Sequence, residues 1–209
     1  FFNQPAAAEA NFQMLWSALR PLLVGDPAAL EQLDEIRNGF AAVMEETLDG
    51  MWARKLGLSQ PDPALVRELL ALMAQSRADY TLCFRALSAI PATLEPVKES
   101  FYVPSSEALD QQWETWLGRW RHQLGDSSTH GAVAAAMQAA NPAITWREWL
   151  IAPAYQQAEE GESGLIQELQ AVFSAPYATP SEAIQAKYCQ LRPRELFNAG
   201  GISHYSCSS

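Results

Sequence analysis

The strongest constraint in this sequence is the recurrence of apolar residues at steps of three and four, punctuated by proline-bearing start signals. Phe12, Leu15, Trp16 and Leu19 build one stripe after Pro5, and Pro21 and Gly25 end it. Asp26-Pro27 reads as an N-cap followed by the first helical residue, because a carboxylate accepts a free backbone N–H and proline forfeits no bond there. The next stripe runs through Leu30, Leu33, Phe40, Val43, Met44, Leu48, Met51, Trp52 and Leu56 and ends near Gly57, with Gly39 or Gly50 expected to bend or split it. Asp62-Pro63 repeats the start signal, and Asp79 is expected to cap a helix carrying Leu82, Cys83, Phe84 and Leu87.

Farther on, Leu109, Trp113, Trp116, Leu117, Trp120 and Leu124 share one helix face, and a polar loop follows over 125–131. A helix over 132–140 stops at Asn141-Pro142, since the residue before proline avoids helical geometry. Trp146, Trp149 and Leu150 open another helix that Pro153 is predicted to kink. Leu165, Ile166, Leu169, Val172 and Phe173 supply one more stripe, and Thr179-Pro180 one more start. No strand alternation and no fixed repeat is visible. The fold class is all-α, with about eight to ten helices by ordinary helix length. The prolines and Ser100 make 92–104 the best internal linker, between helical parts at 1–91 and 105–191; an irregular tail occupies 192–209, and the whole is expected to pack as one domain.

Fourteen Lys and Arg stand against 24 Asp and Glu, a net charge of −10 over 209 residues. That balance disfavours nucleic acid and anionic lipid as partners, and no apolar run approaches the ~20 residues of a membrane helix. Three scattered cysteines without Cys-x-x-Cys, and no export signal, point to a reducing, cytoplasmic setting.

Candidate chemistry is thin. Trp113, Trp116 and Trp120 read as core rather than a stacking wall, and Asp79 as a cap rather than a catalytic acid. His122, His130 and His204 are too dispersed for a metal site, and His204-x-x-Cys207 lacks the further ligands zinc requires. Neither Gly-x-Ser-x-Gly nor a phosphate-cradling glycine motif occurs. Glu45-Glu46 and Glu159-Glu160 read as solvated helix faces. Cys207, third from the end in Ser206-Cys207-Ser208-Ser209, is either an incidental thiol or an accessible reactive one.

Four stretches, in order, decide between these. Asn3-Gln4-Pro5, then Lys55-Leu56-Gly57-Leu58 with Asp79-Tyr80-Thr81 and Phe84-Arg85, then Met137, Asn141-Pro142, Arg147 and Trp149 with Ala158-Glu159 and Gly161, and the Cys207 tail resemble the selenoprotein O (SelO) family. The resemblance implies a kinase-like enzyme that transfers AMP from ATP to hydroxyl side chains of proteins, of which this chain is the helical C-terminal region. ATP and Mg would be bound by motifs upstream of the Asn-Gln-Pro element, so no catalytic, cofactor or metal ligand is expected in this chain, and alone it is expected to be inactive. The expected partners are the kinase-like N-terminal part and the protein substrates. A redox-regulatory role is carried to Cys207 by resemblance. Asn3, Gln4, Pro5, Asp79, Asn141, Pro142 and Arg147 occupy family-motif positions without an assigned role. Glu148 and Pro153 depart from the family pattern. The alternative reading is a stand-alone helical interaction module.

Overall fold

Backbone N–H groups at helix starts find the side chains that the capping signals place there. Asp26 Oδ1 accepts from the Ala29 N–H at 3.1 Å, Asp62 from Leu65 at 2.9 Å, and Asp79 from Leu82 at 3.0 Å. In the computed structural model, which describes residues 3–197, these caps open three of the ten α-helices found among the described residues. The only β pairing there is an isolated bridge between Ala78 and Phe101.

The chain divides into compact units at residues 1–52 and 53–209. The first comprises α1 (Gln4–Leu19), a 3-10 turn at Arg20–Leu23, and most of α2 (Pro27–Leu56). Phe12 stacks on Phe40 at 4.6 Å, and the Trp16 indole donates to Asp34 at 2.8 Å. Arg20 also donates to Asp34, and the Arg37 guanidinium lies 4.6 Å from the Trp16 ring centre while its Nε donates to Gln13. These contacts zip the two helices together, yet no residue between 3 and 52 is fully buried. α2 runs as one helix through Gly39 and Gly50 and is not split there, because its ladder of backbone bonds does not need their side chains.

The second unit begins where α2 ends in a Schellman turn. Leu58 N–H bonds back to Ala53 C=O at 2.9 Å, Gly57 adopts φ +67°, and Leu58 folds inward. There follow α3 (Pro63–Gln75), α4 (Tyr80–Leu87), α5 (Glu95–Lys98), α6 (Glu107–Leu124), α7 (His130–Ala140), α8 (Glu148–Glu159), α9 (Gly164–Phe173) and α10 (Glu182–Tyr188). The α6 stripe forms the core: Trp113, Trp116 and Trp120 are fully enclosed. Each indole N–H is satisfied, by Ser76 Oγ at 2.7 Å, Leu65 C=O at 2.9 Å and Leu56 C=O at 2.8 Å respectively. A second cluster, with Ile144, Leu150, Ala154, Leu169 and Tyr188, joins α8, α9 and α10.

Several boundaries differ from the sequence expectation. Residues 92–104 carry α5, started by Pro96 in its first turn, and bury Leu94, Val97 and Phe101 in the unit. The polar loop after α6 contains a 3-10 turn at Ser127–Thr129, and α7 already begins at His130. Pro153 lies inside α8. The cap of α10 is Ser181, whose Oγ accepts from Ile184, and not Thr179.

Candidate functional site

The family-motif residues of the second unit lie in two linked polar clusters. In the first, the Arg147 guanidinium grips the Asp79 carboxylate with both arms, at 2.5 Å and 2.7 Å. The pair is largely enclosed, with 13% and 8% side-chain exposure. Asp79 sits at the sharp junction of α3 and α4, where its own N–H bonds to Ser100 C=O at 2.7 Å and its carboxylate caps α4. The Tyr102 hydroxyl adds a longer bond to Asp79 at 3.3 Å and accepts from the Arg192 N–H. Burial pulls the Arg147 guanidinium pKa down, but the hydrogen bonds and charge of Asp79 outweigh it and leave it raised.

In the second cluster Asn141 ends α7 in extended geometry, which Pro142 favours, and is fully enclosed. Its Nδ2 donates to Lys55 C=O at 2.8 Å and to Ser88 Oγ at 3.0 Å. Asn141 therefore joins the last turn of α2 to the end of α4. The Arg85 guanidinium then collects the Gln138 and Asn141 carbonyls, each at 3.1 Å, which α7 leaves unpaired at its C-terminus. Lys55 covers this junction, its ammonium 4.8 Å from the Phe84 ring centre and 5.3 Å from that of Tyr80. Burial holds the Lys55 pKa below its usual value.

A cavity of about 680 Å³ opens beside this region, with Arg85, Glu99, Gln138 and Cys189 among its walls. The Cys189 thiol donates to Ala143 C=O at 3.5 Å, and burial raises its pKa. Cys83 is enclosed on α4, as its place in the stripe predicts, with its pKa pushed up to about 12 by burial. Among the described residues no three His, Cys, Asp or Glu side chains converge on a point where a metal could sit. Asp79 offers no exception, because Arg147, Tyr102 and the Leu82 N–H already occupy its oxygens. What this arrangement does chemically is fasten helix ends to one another.

Asn3, Gln4 and Pro5 open α1 in the first unit, Asn3 as a cap residue without a side-chain bond to the helix. They belong to a different compact unit from Asp79, Asn141, Pro142 and Arg147. His122 lies in the last turn of α6 and His130 begins α7. Cys207 and His204 lie outside the described residues. Tyr102 and Ser88 escaped the sequence reading, since no local spacing connects them to Asp79 and Asn141, dozens of residues away. Lys55 and Arg85 stood in quoted motifs, but nothing local marked what they bind.

Fold and clusters together define an all-α packing region whose shared motif residues hold helix termini. Comparison with known proteins supplies the rest. The chain belongs to the protein adenylyltransferase SelO family, whose sequence pattern matches residues 1–174. It is 31% identical over 217 residues to the protein nucleotidyltransferase YdiU of Aromatoleum aromaticum, covering 100% of this chain and 40% of that one. The Jannaschia protein of the same name is 34% identical over 205 residues, covering 90% and 41%, and the Xanthomonas campestris one 32% over 218 residues, covering 100% and 41%. The chain thus spans about 40% of the length of the curated relatives it matches.

Proposed function

We propose that this chain is the helical C-terminal region of a SelO-type protein adenylyltransferase, acting in the cytoplasm beside a kinase-like part of the same polypeptide. The observation that carries this reading is the family match over residues 1–174. The convergence of Asp79 with Arg147, and of Asn141 with the Lys55 carbonyl, supports it by giving the motif residues a common task. In the reaction a protein hydroxyl oxygen bonds to the α-phosphorus of ATP, the hydroxyl proton leaves, and the bond to pyrophosphate breaks. ATP and magnesium would be held by the kinase-like part, and this chain would contribute a rigid flank. Cys207 would carry a redox-regulatory role, by its likeness to the family's terminal cysteine. Alone, the 209 residues would transfer nothing. The family match disfavours a stand-alone helical module.

The test uses ATP labelled at either the α- or the γ-phosphate, a hydroxyl-bearing protein acceptor, and two samples. The chain joined to its kinase-like part is expected to transfer α-label and no γ-label, and the 209-residue chain neither. Transfer of γ-label, or α-label transfer by the short chain, would overturn the proposal.

A further inference from the structure

α8 and α9 form an antiparallel hairpin, since Trp146, just before α8, stacks on Phe173, the last residue of α9, with ring centres 4.8 Å apart. Between the two helices opens a groove of about 410 Å³ with mostly apolar walls. α8 supplies Ile151 and Tyr155, and α9 supplies Ile166, Leu169 and Phe173, at the three- and four-residue steps that align side chains along a helix. Leu169 is buried, while Trp146, Tyr155 and Ile166 are 66%, 41% and 37% exposed. A tryptophan left this open beside a concave apolar wall is the composition of a peptide-anchoring site rather than of ordinary surface.

One end of the groove is aromatic and the other is acidic. Glu159 lies one turn beyond Tyr155 on α8, Glu162 lies four residues before Ile166, and Glu160 sits in the turn between the helices. All three are exposed. Between Arg147 and Lys187 the sequence holds no lysine, arginine or histidine. Glu168, on the same stretch, has its charge matched by Lys187 at 2.7 Å, but among the described residues no cation pairs with Glu159, Glu160 or Glu162.

Charge selects the occupant. A second copy would set the same glutamates against these, and anionic lipid would be repelled, whereas lysine and arginine side chains complement them. We infer that the α8–α9 groove docks a basic peptide segment of a partner protein. An aromatic or branched apolar side chain of that segment enters beside Trp146 and Ile166, and its cations reach Glu159, Glu160 and Glu162 about 10 Å away, two helical turns along the groove. The inference goes beyond the function proposed above, since it assigns a partner-binding surface with its own chemistry and requires no transfer reaction.

Panning a phage library of randomised short peptides against the chain joined to its kinase-like part tests it, followed by fluorescence anisotropy of the enriched peptides. The expected sequences pair an apolar anchor with a cluster of lysine or arginine. Their affinity should fall at least about tenfold with Trp146→Ala. It should fall about three- to tenfold when Glu159, Glu160 and Glu162 are all replaced by glutamine, and the salt dependence of binding should weaken in that variant. The glutamine variant alters only exposed positions, so the test holds even where Trp146→Ala fails to fold. Enrichment of neutral or acidic sequences, or an affinity unchanged in either folded variant, would overturn the proposal. No enrichment over blank beads would overturn it too, and sedimentation then identifies the cover: a dimer that Trp146→Ala dissociates means a second copy, a monomer means the polypeptide's own residues. The readout is binding alone, so it stands or fails independently of the labelled-ATP assay.

Discussion

Replacing Gly57 by alanine should reveal how tightly the α2 terminus is fitted. Gly57 has φ +67°, and a Cβ there would lie 2.6 Å from Val133 Cγ1 and 2.9 Å from Met137 Sδ. The left-handed backbone costs an L-residue about 1–2 kcal/mol. Forcing one carbon into a filled site adds about 1–3 kcal/mol, since Met137 is enclosed and Val133 has little freedom at χ1. Gly57→Ala is therefore expected to destabilise the protein by about 2–5 kcal/mol, a fall in Tm on the order of 10 °C. The companion Gly118→Ala has the opposite sign. Gly118 lies inside α6 with nothing within 4 Å of its Cβ position, so alanine should stabilise by up to ~1 kcal/mol. Urea and thermal denaturation followed by circular dichroism measure both. Adding Val133→Ala to Gly57→Ala should recover the share of the steric cost owed to Val133 and leave the Met137 contact and the backbone strain, giving a favourable coupling in a double-mutant cycle. Equal effects of the two glycine substitutions, or no coupling with Val133, would refute the argument.

The Asp79–Arg147 pair makes a second prediction. Arg147→Ala strands an enclosed carboxylate and should cost about 3 kcal/mol, whereas Arg147→Lys keeps the charge without the two-armed grip and should cost less; urea melts that do not separate the variants would contradict this. A third concerns alkaline pH. Burial pushes the Cys83 thiol up to about 12 from an ordinary value of 9.0, and the Tyr80 phenol to about 12 from 10.0. Because the folded values lie above the unfolded ones, this stability is fully present below pH 9 and lost as pH rises toward 12. Cys83, wholly enclosed, should carry more of the loss than Tyr80, a residue 41% exposed. Denaturation midpoints should fall across that range, and Cys83→Ala should flatten the curve more than Tyr80→Phe.

Helix starts were legible because caps are local: Asp26, Asp62 and Asp79 each bind an N–H three residues on, a distance fixed by the helix itself. The tryptophan stripe was legible for the same reason, since its spacing alone sends three indoles to one side. α5 was hidden because its four residues are too short for periodicity and sit among prolines that equally signal a loop. Gly57 was readable as a helix end, but the side chains that forbid a Cβ come from α7, far along the chain. Likewise Asp79 was readable as a cap, while its second bond, to Arg147, spans 68 residues and has no local signature. The clusters were therefore visible in advance only as positions shared with a family, not as contacts.

The enclosed tryptophans have one more consequence. Trp116 and Trp120 stack with ring centres 5.7 Å apart and planes 15° from parallel, and Trp113 meets Trp116 edge-on at 6.1 Å. Each indole is also pinned by its N–H bond, so their relative orientations are fixed. Chromophores held this close in a chiral arrangement couple their electronic transitions, and the near-ultraviolet circular dichroism of the molecule should be dominated by this trio. Trp16 between two guanidiniums and the exposed Trp146 against Phe173 lie outside it. The α6 core thus carries its own optical reporter, whose signal disappears when the three rings lose register and needs no label to be read.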